Sequence, residues 1–120
     1  MSPTARTKRL LESEGFIVEV VERWIPGANI RRDLWGFLDV LAIRDGLTLG
    51  VQVTTADHLA DRRRKIVASP LLPRVLLAGW KVEVHGWRKV NRRWTARREA
   101  IEPQEHLSEG LELSRACLTV

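Results

Sequence analysis

The fold is decided by residues 34–55: Leu34-Trp35-Gly36-Phe37-Leu38-Asp39-Val40-Leu41-Ala42-Ile43-Arg44-Asp45-Gly46-Leu47-Thr48-Leu49-Gly50-Val51-Gln52-Val53-Thr54-Thr55. From Phe37 to Ile43 every residue but Asp39 is apolar, the pattern of a central strand covered on both faces. Asp45-Gly46 is a hairpin signal, because both central residues of a type I′ turn need positive φ. Leu47 to Thr54 is then the returning strand. The turn also sets the register: Arg44 faces Leu47, Asp39 faces Gln52 and Phe37 faces Thr54. Facing residues lie about 4.5–5.5 Å apart at Cβ and point to one side. A carboxylate and a carboxamide therefore converge within an apolar ribbon, with the Thr54 hydroxyl on the same side. A carboxylate inside a sheet needs a partner. Either a hard cation such as Mg²⁺ supplies it, or Asp39 and Gln52 form a hydrogen-bonded pair without metal.

Working outward, Ser2-Pro3 reads as an N-cap and first-turn proline, and Gly15 as the residue past a helix end, predicting a helix near 3–14. Phe16 to Ile25 reads as one strand, with Ile17, Glu19, Val21 and Arg23 on one side and Val18 and Val20 on the other. Pro26-Gly27-Ala28-Asn29 breaks it. Beyond the ribbon, Asp57 can cap a helix at about 58–68 whose Leu59, Ile66 and Val67 face the sheet, and Ser69-Pro70 ends it. A short helix over Pro73–Ala78, a strand over Lys81–His85 and another over Trp94–Ile101 complete the pattern. The expected fold is α/β, a mixed central sheet of four to five strands flanked by helices in the order α-β-β-β-α-β. A single domain spans residues 1–98, and residues 99–120 form an acidic tail that is partly helical or a subunit contact.

A chain of 120 residues that is 44% hydrophobic can bury a core of its own. Its single cysteine, Cys117, excludes a disulfide framework and a cysteine-rich zinc site, and His58, His85 and His106 are too scattered for a zinc motif. No apolar run approaches the roughly 20 residues of a membrane span, and no secretory signal opens the chain, so a soluble cytoplasmic protein is expected. Residues 62–98 hold twelve basic side chains and one acidic, Glu83, with Trp80, Trp87 and Trp94 interleaved. Such an excess fits a polyanion, because neutralising phosphates releases counterions; the plainer reading is a solvated basic face. The nucleic-acid-binding candidates are Arg31, Arg32, Arg62, Arg63, Arg64, Lys65, Arg88, Lys89, Arg92 and Arg93. His85 reads as a strand-surface residue near DNA, and the tryptophans read first as core or interface anchors.

Asp39, twelve intervening residues and then Gln52-Val53-Thr54 resemble the PD-(D/E)XK nuclease pattern in its Asp…(Glu/Gln)-x-Lys form. A first helix ending at Gly15-Phe16, the Arg31-Arg32 loop before the Asp strand and the basic helix after the Gln strand add to the likeness. The layout is similar to small Holliday junction resolvases and VRR-type nucleases over residues 4–90. The resemblance implies a restriction-endonuclease-like core, Mg²⁺ (or Mn²⁺) as cofactor, phosphodiester hydrolysis in structured or branched DNA, and a homodimer that cuts two strands symmetrically. It implies that Asp39, the Gln52 side-chain oxygen and the Val53 carbonyl hold the metal, and that Lys65 or a neighbouring arginine such as Arg62 stabilises the transition state. Thr54 stands where the family has its lysine and can orient a water. Thr4 and Thr7 stand where the family often has a glutamate. Asp33 reads first as a loop salt-bridge partner of Arg31 or Arg32, and second as an additional carboxylate at the site. Two alternatives accompany the nuclease: a DNA-binding or protein-interaction module of the same fold that has lost catalysis, and an RNA-binding protein or ribonuclease.

Overall fold

In the computed structural model, which describes residues 1–103, the Asp45-Gly46 turn has φ of 48° and 77°. It joins β4 (Val40–Arg44) to β5 (Leu47–Thr55) in the expected register, from Arg44 opposite Leu47 to Val40 opposite Val51. The first of these strands starts three residues later than its apolar run suggests. Trp35 and Gly36 both take positive φ, 55° and 83°, and Leu34 and Leu38 exchange backbone hydrogen bonds of 2.8 and 3.0 Å across that turn. Phe37 and Leu38 thus leave the ladder and drop into the core, so Phe37 does not stand opposite Thr54.

The first helix, α1 (Pro3–Ser13), begins as expected, with the Ser2 hydroxyl accepting from the Ala5 N–H at 3.1 Å. The expected strand from Phe16 to Ile25 is two. β1 (Ile17–Val20) pairs antiparallel with β4. The N–H groups of Val21 and Glu22 then both turn to the Asp39 carbonyl, at 2.8 and 3.3 Å, which ends that ladder. The chain resumes as β2 (Arg23–Ile25), paired with β3 (Ile30–Arg32) in a separate two-stranded sheet around the Pro26–Asn29 loop.

After β5 come a single 3₁₀ turn (Ala56–His58), α2 (Leu59–Val67), α3 (Leu72–Leu77), β6 (Lys81–Val90) and β7 (Arg93–Ala100). Asp57 does not cap α2: the intervening 3₁₀ turn puts His58 at the cap position, without a side-chain cap bond. The main sheet has the order β1-β4-β5-β6-β7, with β5 and β6 parallel and every other pair antiparallel. It is a mixed five-stranded sheet with helices on both faces. One core layer, including Leu11, Phe16, Val18 and Val51, lies under α1, and a second, including Leu38, Ile66, Leu72 and Val84, lies under α2 and α3. Ile101 is buried in that second layer and donates its N–H to the Val82 carbonyl at 2.8 Å, so the domain reaches beyond residue 98. The remainder of the expected acidic tail, residues 104–120, lies outside the described residues. No helix among the described residues is long and apolar enough to cross a membrane.

The crossover from β5 to parallel β6 presses the 3₁₀ turn onto the sheet at Gly86. A Cβ there would meet Leu59 Cδ1 at 2.7 Å and the Ala56 backbone at 3.1 Å. Gly86→Val is therefore expected to cost about 1–3 kcal/mol through overpacking, read as a lowered denaturation midpoint with an unchanged slope.

His85 is not on the surface. It is 0% exposed, because β6 alternation puts it on the α1 face with Glu83 and Trp87. The Thr7 hydroxyl accepts from Trp87 Nε1 at 2.9 Å and meets His85 Nδ1 at 3.2 Å, while His85 Nε2 lies 2.9 Å from Glu83 Oε1. The His85 hydrogen bond, with Arg98 beside it, holds the Glu83 carboxyl below its usual range. This network ties α1 to the sheet and leaves no buried side-chain polar atom unpaired among the described residues.

Candidate metal centre

β4 begins one residue after Asp39; the Asp39 N–H still reaches the Val51 carbonyl at 2.9 Å, and its side chain carries the pairing with β5 further. Its Oδ2 accepts from Gln52 Nε2 at 2.6 Å and from the Val53 N–H at 2.8 Å. The facing of Asp39 and Gln52 expected from the hairpin register is thus present, and both are buried, at 3% and 4% exposure. The amide nitrogen of Gln52 is committed to Asp39, which leaves its carbonyl oxygen as the half that could face a cation.

Two further carboxylates approach Asp39. Ligand oxygens of Glu22, Asp33 and Asp39 all lie within 4.8 Å of one another. Asp33 arrives because it directly follows β3. Glu22 arrives because the chain breaks from β1 at the Asp39 carbonyl. The sequence reading included Asp33 and missed Glu22, although a signal was present: in the alternation from Phe16 onward, Glu22 is the acid on the side of Val18 and Val20. Glu22 Oε1 also accepts from Thr4 Oγ1 at 3.2 Å and lies 3.5 Å from Arg31.

Burial, above all, pushes the Asp39 carboxyl up to about 8; the Val53 N–H opposes this, and Asp33 and Glu22 add to it. Three acids at this separation, one of them buried, cannot all be ionised without a counter-charge. Arg31 offsets Glu22 in part, burial favours a proton on Asp39, and a cation could take that proton's place.

The three acids open into a cleft of about 450 Å³ whose walls include the N-terminal end of α1, the end of β5, His58, Arg31 and Arg62. Thr54 and Val53 lie on its wall, with Val53 giving its N–H to Asp39. Arg62 reaches this cleft, whereas Lys65, one turn further along α2, is exposed and outside its lining. Arg63 pairs with Glu99 at 3.2 Å and donates to the Ala100 carbonyl, and Arg64 pairs with Asp61. The run from Arg62 to Lys65 is therefore not one cationic face. Arg32 borders the neighbouring hollow, and Arg88 a separate one beside Asp57 and Arg97. Lys89, Arg92 and Arg93 are exposed on the β6–β7 hairpin, whose Asn91-Arg92 turn has φ of 49° and 66°.

Fold and site together define a mixed α/β domain with a carboxylate-lined cleft flanked by arginines. No protein-family model, curated protein or solved structure matches the chain.

Proposed function

We propose that this protein is a divalent-metal-dependent endonuclease of the PD-(D/E)XK kind, acting on structured or branched DNA as a homodimer. One observation carries the reading: Asp39 and Gln52 meet across the β4–β5 hairpin with Glu22 and Asp33 beside them, in a cleft that also holds Arg62. The order of helix, antiparallel three-strand meander, helix and parallel strand supports it, since the resemblance implies that layout.

The donors fit a hard cation. Carboxylate oxygens and a carboxamide oxygen suit Mg²⁺ or Mn²⁺, and the acid cluster itself includes neither the thiolate nor the imidazole donors that favour softer metals, His58 standing on the cleft wall outside it. Asp39, Glu22, Asp33 and the Gln52 oxygen would hold it. Bound there, it would lower the pKa of a coordinated water and offset charge building on the scissile phosphate. Glu22 offers the carboxylate that the first helix lacks, reaching the site beside Thr4. Arg62 takes the part of the missing lysine by stabilising the phosphate in the transition state, and the Thr54 hydroxyl orients the attacking water.

The test is to incubate the protein with a labelled four-way junction, a plain duplex and single strands, in Mg²⁺, Mn²⁺ or EDTA. Junction cleavage that needs metal supports the enzyme. Thr54 in the lysine position favours a second reading, a binding module of the same fold, and metal-independent binding with intact substrate would establish it. Arg62→Ala separates the roles within the enzyme: cleavage is expected to fall about 10–100-fold with Mn²⁺ affinity unchanged in titration calorimetry.

A further inference from the structure

The metal cleft shares a wall with a neighbouring hollow. Asp33 also lines a second hollow of about 620 Å³, bordered by Arg23 and Arg32 and reaching Trp35 and Leu71. Trp35 and Leu71 in turn wall a third hollow of about 280 Å³, completed by Arg74 and Trp80 among others. The rings of Trp35 and Trp80 are 5.0 Å apart at their centroids and inclined by 40°.

Trp35 is an unusual residue for a structural anchor. It is 44% exposed and takes a left-handed φ of 55°, a conformation that bulky side chains rarely adopt. Leu71 beside it is exposed as well. An apolar, aromatic hollow of this size suits one planar ring better than a helix or strand. Among the described residues Arg23, Arg32 and Arg74 form no ion pair, so the route from the acids to the tryptophans keeps its positive charge. Aromatic faces joined by a cationic track are how proteins hold unpaired nucleotides: bases stack, and phosphates follow the arginines.

We infer that the Trp35–Trp80 hollow is a subsite for an unpaired DNA base, with Arg23, Arg32 and Arg74 taking the phosphates that lead from it to the metal cleft. The inference rests on the nuclease reading for the path of the strand. It names the substrate feature selected, a single-stranded segment next to the point of cleavage. A stacked duplex base cannot enter without leaving its neighbours, so fully paired DNA lacks this contact.

The experiment is run on the full chain in EDTA, where no cleavage occurs and the metal centre plays no part. Fluorescence anisotropy compares a blunt duplex, the same duplex with a short single-stranded overhang, and that overhang made abasic. The overhang is expected to bind at least about tenfold tighter than the blunt end, within the range that one base–aromatic stack provides. The abasic overhang loses that gain, and 2-aminopurine in the overhang is quenched on binding. Trp35→Asn, which suits the left-handed backbone, and Arg74→Glu, on the exposed face of α3, each lower the ratio of overhang to blunt-end affinity. Equal binding of overhang and blunt end, or a preference that survives both substitutions, overturns the inference. Failure of the nuclease reading shows separately, as absence of metal-dependent cleavage with the overhang preference intact.

Discussion

Asp39→Asn is expected to remove metal-dependent DNA cleavage, by roughly 10²–10³-fold or more, while raising the melting temperature at pH 8. The two effects share one cause. Asp39 brings the buried carboxylate to the metal cleft, and asparagine cannot supply that charge. In the free protein, however, asparagine is the better neighbour. Its oxygen can accept the same two hydrogen bonds, from Gln52 Nε2 and the Val53 N–H, and its NH₂ can face Glu22 and Asp33. The substitution mimics the protonated acid that burial favours. Cleavage assays and thermal melts on one preparation check both. A variant that lost activity through misfolding would instead melt lower, and a variant that kept cleaving would take Asp39 out of the site.

The second large effect is on pH. The folded-state pKa of Asp39 is about 8, well above its usual 3.8. Between those values the folded protein holds a proton that the unfolded chain has lost, so stability falls as pH rises through this window. The slope is at most about 1.4 kcal/mol per pH unit. In EDTA, melting temperatures from pH 5 to 9 are expected to decline until about pH 8 and then level, and Asp39→Asn removes most of that decline. A cation must displace the same proton. Metal affinity is therefore expected to rise by up to tenfold per pH unit, roughly 50-fold between pH 6 and 8. Calorimetry in two buffers of different ionisation enthalpy should then find about one proton released per ion near pH 6. A pH-independent affinity would mean that Asp39 is not a ligand.

The sequence made the hairpin legible because its turn chemistry is local: Asp45-Gly46 sets the register by itself, and the Asp39–Gln52 meeting follows from it. The sheet and its flanking helices were legible from periodicity. What was not legible depends on where strands stop. The alternation of Phe16 to Ile25 runs on without interruption, and only the Asp39 carbonyl, taking the Val21 and Glu22 N–H groups, cuts it. That cut turns Glu22 from a strand residue into a site residue. The Trp35-Gly36 turn likewise draws Phe37 out of a run that looks like continuous strand. His85 was misread because a histidine in an alternating strand carries no sign of which face a helix will cover. The reach of Arg62 rather than Lys65 into the cleft depends on how the 3₁₀ turn sets α2 on Gly86, a contact without a sequence signature beyond the glycine itself.

The most direct test of the metal centre is anomalous diffraction from crystals of the protein soaked in Mn²⁺. A peak within bonding distance of the Asp39 carboxylate and of Glu22 or Asp33, absent from Asp39→Asn crystals, is the result expected. Crystals in which Mn²⁺ binds elsewhere or not at all at pH 8, with those three acids still clustered, would contradict it.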